Sequence, residues 1–264
     1  MGKGRGVVVD QAGVLAEAPT ALDVARSAFG HGAAVWARRE HIVEDGWWLA
    51  LSGTSGSDYN QGLLYGEPAR ERLPDILGRI EAAGCPALLS LAGAGLSSAQ
   101  QLSDAGWVCV AALPFMYRAA RPGKADRRVR PLVEGDLLAA QALLSSTFEV
   151  APDSAGALFR ADLLQRETVR AWGLFDPGLV SVAVTVEVGD LYVGWALATA
   201  PEHQQHRYGS SLLRHIDQWY YEHGAPGSLH VATAAGTRLY AARGHTTLEH
   251  WQLWSRPRWL LGRD

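Results

Sequence analysis

The chain has 264 residues and a net charge of −3, with 48% hydrophobic against 19% charged residues. That is enough for one large or two ordinary packed domains and unlike a disordered chain, and it leaves no basic field to recruit nucleic acid. No apolar run reaches the ~18 residues that span a bilayer, and residues 1–6, though basic, are not followed by a secretory core segment. The expectation is therefore a cytoplasmic protein without nucleic-acid or membrane partners.

In chain order, apolar alternation predicts strands over 46–52 and 61–65. A helix over 70–83 follows, with Leu73, Ile76, Leu77 and Ile80 on one face. Then come a strand over 87–92, a helix over 97–105 and a strand over 108–115. Residues 119–130, with Pro122-Gly123 and a basic run, read as a solvated linker, its core at 119–127. It divides the chain into a first domain, 1–118, and a second, 128–264. The second opens with a strand over 128–132, a helix over 134–148 carrying Leu137, Leu138, Ala142 and Leu144, and a helix over 155–166. Strands over 169–175, 179–188 and 191–199, joined at Asp176-Pro177-Gly178 and Gly189-Asp190, read as an antiparallel meander. A helix over 210–223, a strand over 229–232, a helix over 235–243 and a strand over 246–255 complete a mixed α/β sheet covered on both faces. Both halves share one ending. Gln101 to Trp107 and Leu239 to His245 each close a helix on a glycine suited to a left-handed cap and open a strand with a ring, as diverged repeats would.

The junction after residue 199 carries the chemistry. A strand, a short polar turn containing Gly209, and a helix start together form an anion site, because the first helical N–H groups lack partners and the helix dipole adds positive potential. Its expected occupant is a phosphate or pyrophosphate. Cys85 and Cys109 lie in apolar, strand-like stretches and read as buried free thiols. Nine scattered histidines give no ligand spacing, so no metal site is expected. There is no Gly-x-Ser-x-Gly elbow and no lysine-bearing phosphate loop, so hydrolase and nucleotidase readings lack support.

Two motifs in the second half resemble the GNAT N-acetyltransferase superfamily over roughly residues 128–256. The family's loop, Gln or Arg, two residues, Gly, one residue, Gly or Ala, falls on Gln204, Arg207 and Gly209. Its downstream Leu-Tyr, three residues, Gly-Phe reads here Leu239-Tyr240-Ala241-Ala242-Arg243-Gly244-His245. The resemblance implies tandem GNAT-like acyl-CoA N-acyltransferase domains, the first degenerate, in a bacterial protein. The scarcity of lysine beside abundant Arg, Ala and Gly fits the coding bias of a GC-rich bacterial genome. It implies acetyl-CoA, or another acyl-CoA, as co-substrate. Loop residues Gln204, Gln205, His206, Arg207, Tyr208, Gly209 and Ser210 would cradle its pyrophosphate. Backbone groups of Trp195, Ala196, Leu197 and Ala198 would pair with its pantetheine arm, and an N–H near Leu197 would polarise the thioester. Thr233 stands where many members carry Asn. Tyr240 would protonate the leaving thiolate.

Departures from the pattern set further expectations. Arg207 replaces the first loop glycine; its N–H survives, but a demand for positive φ would force the loop to reshape. Strand 191–199 holds only Leu, Tyr, Val, Gly, Trp, Ala and Thr, so the general base is open among Glu187, His230, His206, water, or an amine arriving neutral. Tyr240 alone would read as a core aromatic, Gln204 as an exposed loop residue, and Ser210 and Ser211 as helix caps. Trp36 and Trp195 are candidate pocket walls, the other tryptophans packing residues, and residues 54–60, with Asp58 and Tyr59, a surface loop that could face the acceptor. The first half lacks the loop motif after residue 65 and has Leu102 in place of Tyr240. The expected activity is acetyl transfer to a small-molecule amine by direct attack. The alternatives are a non-catalytic acyl-CoA-binding module and a homodimer whose first half serves assembly.

Overall fold

The turns and apolar runs of the chain produce eleven strands among the described residues, and all eleven join one sheet. The computed structural model describes residues 19–67 and 69–260. The N-terminal half runs α1 (Pro19–Gly32), β1 (Glu40–Glu44), β2 (Trp47–Leu51), β3 (Asn60–Leu64), α2 (Ala69–Ala83), β4 (Leu88–Leu91), α3 (Ala99–Asp104) and β5 (Val108–Ala119). The C-terminal half runs β6 (Val129–Pro131), α4 (Leu137–Phe148), α5 (Pro152–Leu158), α6 (Ala161–Leu164), β7 (Val169–Phe175), β8 (Leu179–Val188), β9 (Leu191–Thr199), α7 (Tyr208–Glu222), β10 (Gly227–Val231), α8 (Ala234–Ala242), β11 (Thr246–Ser255) and α9 (Pro257–Leu260). The readings made for residues 1–6 lie outside the described residues.

The sheet order is β1-β2-β3-β4-β11-β5-β10-β9-β8-β7-β6. Outward from the antiparallel β5/β11 pair the two sides repeat the same senses: antiparallel to β4 or β10, then parallel to β3 or β9, then antiparallel to the next two strands. This order gives the two sides matching strand senses. It also interleaves the halves, because β5 lies between β11 and β10, and β11 lies between β4 and β5. Each half contributes its last strand to the other's ladder. A parallel pair needs a long crossover, and α2 and α7 supply it on the two sides.

The meander appears as read, as does the final strand. Three local expectations are corrected. The helix read over 155–166 is two, α5 and α6, broken where Arg160 turns extended (φ −135°) as the cap of α6 and its guanidinium binds Asp162 at 2.6 Å. The linker's charged run is exposed, as expected, but it is no free spacer. Ala119 closes β5 opposite Gly227, the Lys124 N–H donates to Arg214 O at 3.1 Å, and a Cβ at Gly123 would stand 2.0 Å from that same carbonyl. Cys109 is exposed, whereas Cys85 is buried; both are free thiols. The sequence reading also omitted α1 and β1. Leu22, Ala25 and Phe29 mark one face of α1 at helical spacing, but only one of these positions is large and fully enclosed: Phe29, 2% exposed.

The main core lies between the sheet and the α1, α4 and α5 layer and joins the halves. Phe29 sits at its centre, 4.4 Å from the Trp195 ring, 5.4 Å from Trp251 and 5.6 Å from Phe115. A second core lies under α2 and α3, and a third under α7.

Candidate active site

Strand β9 is bulged. Val184 of β8 faces Trp195 and Val182 faces Ala198, so Ala196 and Leu197 stand together against Ala183. Ala196 adopts φ +52° to absorb the extra residue, a conformation costing an L-residue about 1 kcal/mol. On its other side β9 pairs with β10 only from Leu191↔Gly227 to Val193↔Leu229. Both strands run on, β9 to Thr199 and β10 to Val231, with no ladder between them. The result is a fork whose β9 arm, residues 194–199, offers backbone N–H and C=O groups to another extended chain.

At the open end of the fork the chain enters α7 through two left-handed residues, Gln205 (φ +66°) and Arg207 (φ +64°). Arg207 therefore does take the positive φ that glycine would favour, and the loop keeps its course at that cost. The helix starts at Tyr208, two residues before its expected start, with Arg207 as N-cap and no side-chain cap. Its first backbone bond runs from Ser211 N–H to Arg207 O at 2.9 Å. The amides of Tyr208, Gly209 and Ser210 therefore have no helical partner and meet the positive end of the dipole. Ser210 is the third residue of α7, so it does not cap the helix.

The fork leads inward to Tyr240 on α8. This ring is 7% exposed and packs with Met116, Leu213 and Ala232, against Leu197 and Leu239. Its hydroxyl finds no hydrogen-bond partner among the described residues. Burial, then the nearby Asp217 carboxylate, push its pKa well above the usual phenol value, so it keeps its proton at neutral pH. Beneath it, Asp217 of α7 binds Arg118 of β5 at 2.5 Å, Arg243 at the end of α8, and the Tyr192 hydroxyl at 2.8 Å.

Residues 139–245 match the family model described as acetyltransferase (GNAT) family. Residues 139–245 are thus a GNAT-family domain. Among solved structures, a GCN5-related N-acetyltransferase from Kribbella flavida aligns at TM-score 0.64 and 18% identity, covering 88% of this chain and 95% of its own. A putative GNAT-family acetyltransferase from Novosphingobium aromaticivorans aligns at TM-score 0.57 and 16% identity, covering 89% and 98%. At these identities the likeness is one of fold, and it extends over both halves. A comparison with curated proteins finds no match.

Within the GNAT domain the residues read from the sequence separate into three groups. Trp195, Ala196, Leu197 and Ala198 form the free arm of the fork, with the Trp195 ring turned to α1, 5.6 Å from Trp36. Gln204, Gln205, His206, Arg207, Tyr208, Gly209 and Ser210 form the helix entry. There the Gln204 amide returns to Thr199 O at 3.3 Å, His206 Nδ1 meets Gln204 O at 2.8 Å, and the Tyr208 hydroxyl donates to Asp176 at 3.0 Å. Thr233 caps α8, accepting from Gly236 N–H at 3.2 Å. Of the candidate bases, Glu187 lies 3.6 Å from Arg170 and pairs across the ladder with Tyr192, on the closed side of the fork. His206 is exposed in the loop. His230 alone stands beside Tyr240, ring to ring at 4.5 Å. A cleft of about 730 Å³ between α1 and the β8–β9 turn, lined by Asp23, Glu44, Asp45 and Asp190, opens at the end of β9 away from the loop.

The N-terminal half has no such fork. Its parallel pair holds four successive rungs, from Gln61↔Leu88 to Leu64↔Leu91. The turn after β4 then closes over the end of β3, where a Cβ at Gly95 would stand 2.1 Å from Leu64 O. Leu102 is fully buried in the second core. Residues 54–60 dock on the GNAT domain, with Ser55 donating N–H and O–H to Asp153 at 2.7 and 2.8 Å. Asp217 was missed in the sequence, although a carboxylate spaced with Leu213 and Tyr220 on the apolar face of a helix was a legible signal.

The histidines of the GNAT domain couple stability to pH. Burial is the main cause that lowers His245 to about 4, and burial also holds His230 well below the ordinary histidine value. Both fold as neutral rings, whereas in the unfolded chain each binds a proton below about 6.5. Their contribution is complete above that pH and is lost as pH falls toward 4. Thermal denaturation is expected to show Tm falling from pH 7 to pH 5, and His245→Phe to flatten that slope. An unchanged slope would contradict the assignment.

Proposed function

We propose that this protein is an acyl-CoA-dependent N-acyltransferase, moving an acetyl group from acetyl-CoA to an amine of a small molecule by direct attack. The reading is supported by the combination of three free α7 amides, an unpaired arm of β9, and a Tyr240 ring packed against Leu197 of that arm. The residues fit the coenzyme. Free amides at a helix start suit a diphosphate, and an unpaired strand edge suits the two amides of a pantetheine arm. Bound acetyl-CoA supplies an activated acyl carbon and a thiolate leaving group.

The chain's own groups then have defined tasks. The amides of Tyr208, Gly209 and Ser210 hold the diphosphate. A β9 N–H at the bulge, near Leu197, donates to the carbonyl oxygen as charge grows there, an effect typically worth a few kcal/mol. Attack of the amine lone pair forms the C–N bond, the C–S bond breaks, and Tyr240 gives its proton to the sulfur. Attack leaves the nitrogen cationic, and its surplus proton leaves through water, which restores the Tyr240 phenol; an amine arriving as the ammonium loses one further proton to water before attack. Trp195 packs with Phe29 and Trp36 on the opposite side of β9. The N-terminal half, docked on the domain through residues 54–60, favours a small acceptor over a protein tail.

A second reading, an acyl-CoA-binding module without turnover, is supported by the absence of any carboxylate on β9. Tyr240→Phe separates the two, because only an enzyme loses rate. The binding step has its own test. Ser210→Asp places a carboxylate at the third position of α7, where the dipole stabilises it. Calorimetry should show acetyl-CoA affinity falling about 100-fold from charge repulsion, with Tm equal or higher. An affinity equal to that of the parent protein would remove the α7 amides from the site.

A further inference from the structure

His230 follows Leu229, the last β10 residue paired with β9, and Gly194 follows that residue's partner Val193. The two form the first unpaired rung, the vertex of the fork. Gly194 must lack a side chain: a Cβ there would stand 2.3 Å from His230 Cε1 and 2.4 Å from Nδ1. The imidazole is 3% exposed, and neither ring nitrogen has a hydrogen-bond partner among the described residues. A buried polar atom left unpaired is costly, and an apolar ring would fill the same space without that cost. The surrounding groups come from every neighbouring element. Tyr240 stacks on the ring at 4.5 Å, His245 meets it at 5.0 Å and Tyr192 at 6.2 Å, with Arg118 of β5, Arg243 of α8 and Asp217 of α7 behind them. Burial first, then His245 and the two guanidinium groups, keep the imidazole neutral. A neutral ring carries one N–H donor and one acceptor lone pair, and none of the described residues uses either.

We propose that His230 is a ligand-contacting residue, whose unpaired imidazole hydrogen-bonds the amide-and-thioester end of an acyl-CoA arm laid in the β9/β10 fork. The proposal rests on the acyl-CoA reading and adds a residue to it. It explains together the glycine at 194, the unpaired nitrogens and the stack on Tyr240. His230 then fixes the depth to which the arm enters and presents its sulfur to the phenol.

The test compares wild-type protein with His230→Phe, which keeps ring and stack, and His230→Gln, which keeps a donor and an acceptor. Calorimetry with acetyl-CoA gives affinity, Tm reports folding, and ring 15N signals of the wild-type histidines are followed as coenzyme A is added. The expected result is a His230→Phe protein at least as heat-stable as wild type that binds acetyl-CoA about ten-fold more weakly, partial recovery in His230→Gln, and a shift of the His230 15N signals on coenzyme addition. Unchanged affinity in a folded His230→Phe overturns the proposal, as do 15N signals that stay in place while coenzyme A binds. If wild-type protein binds neither coenzyme A nor acetyl-CoA, the acyl-CoA reading itself fails.

Discussion

Replacing Tyr240 by Phe is expected to lower kcat by about 10²–10⁴-fold, the usual range for removing a general acid, while acetyl-CoA affinity and Tm stay near the parent values. The hydroxyl is the sole group removed, and it has no partner among the described residues, so its loss leaves no orphaned polar atom. The ring's stack on His230 at 4.5 Å is retained. The phenol is available for the role because burial and Asp217 raise its pKa, so it is protonated at neutral pH and holds a proton to give to the sulfur as the C–S bond breaks. Free-thiol release over an amine panel, run beside calorimetry on the same proteins, measures the effect. Undiminished turnover in Tyr240→Phe would place the proton donor elsewhere. Loss of binding along with rate would make Tyr240 a wall of the site.

Asp217→Ala is expected to cost about 3–5 kcal/mol of stability, the range for breaking a buried ion pair from one side. The carboxylate is 5% exposed and is shared by Arg118 and Arg243, so its removal leaves two guanidinium groups buried side by side and takes the acceptor from Tyr192. In a chain of this size the loss corresponds to a Tm lower by roughly 10 °C. Arg118 belongs to the last strand of the N-terminal half, Asp217 to the helix whose start is the proposed coenzyme site, and Arg243 caps the end of the helix that carries Tyr240. The network therefore ties both halves to the site, and coenzyme affinity should fall with stability. Thermal and urea denaturation measure it, and a Tm within about 2 °C of the parent would show that the charges are not coupled as described.

Much of the GNAT domain was legible in order. Turn residues at Asp176-Pro177-Gly178 and Gly189-Asp190 and period-two apolar runs set the meander, since the alternation of side chains across a sheet is a local property. The helix entry was legible for the same reason. A polar turn and a glycine before an amphipathic run create free amides whatever lies elsewhere in the chain, and only the starting residue, Tyr208, differed. Helix α1 was less legible because alanine carries much of its buried face, and alanine marks a core weakly. The exposure of the linker was legible in its basic composition, but its anchoring was not, because its backbone amides bond Arg214 and His215 of α7.

What the chain by itself determined is most of the elements, the free amides at the start of α7 and the tyrosine spaced to follow it, all consequences of neighbours within a few residues. What only the tertiary structure decided is which strands meet. The interleaving of β5 and β11, the fork at Gly194 and His230, and the burial of Asp217 between arginines of two different elements join residues tens to more than a hundred positions apart. Their physical cause is the closing of one core by two similar halves, and a residue's local pattern carries no record of the distant partner against which it will be buried.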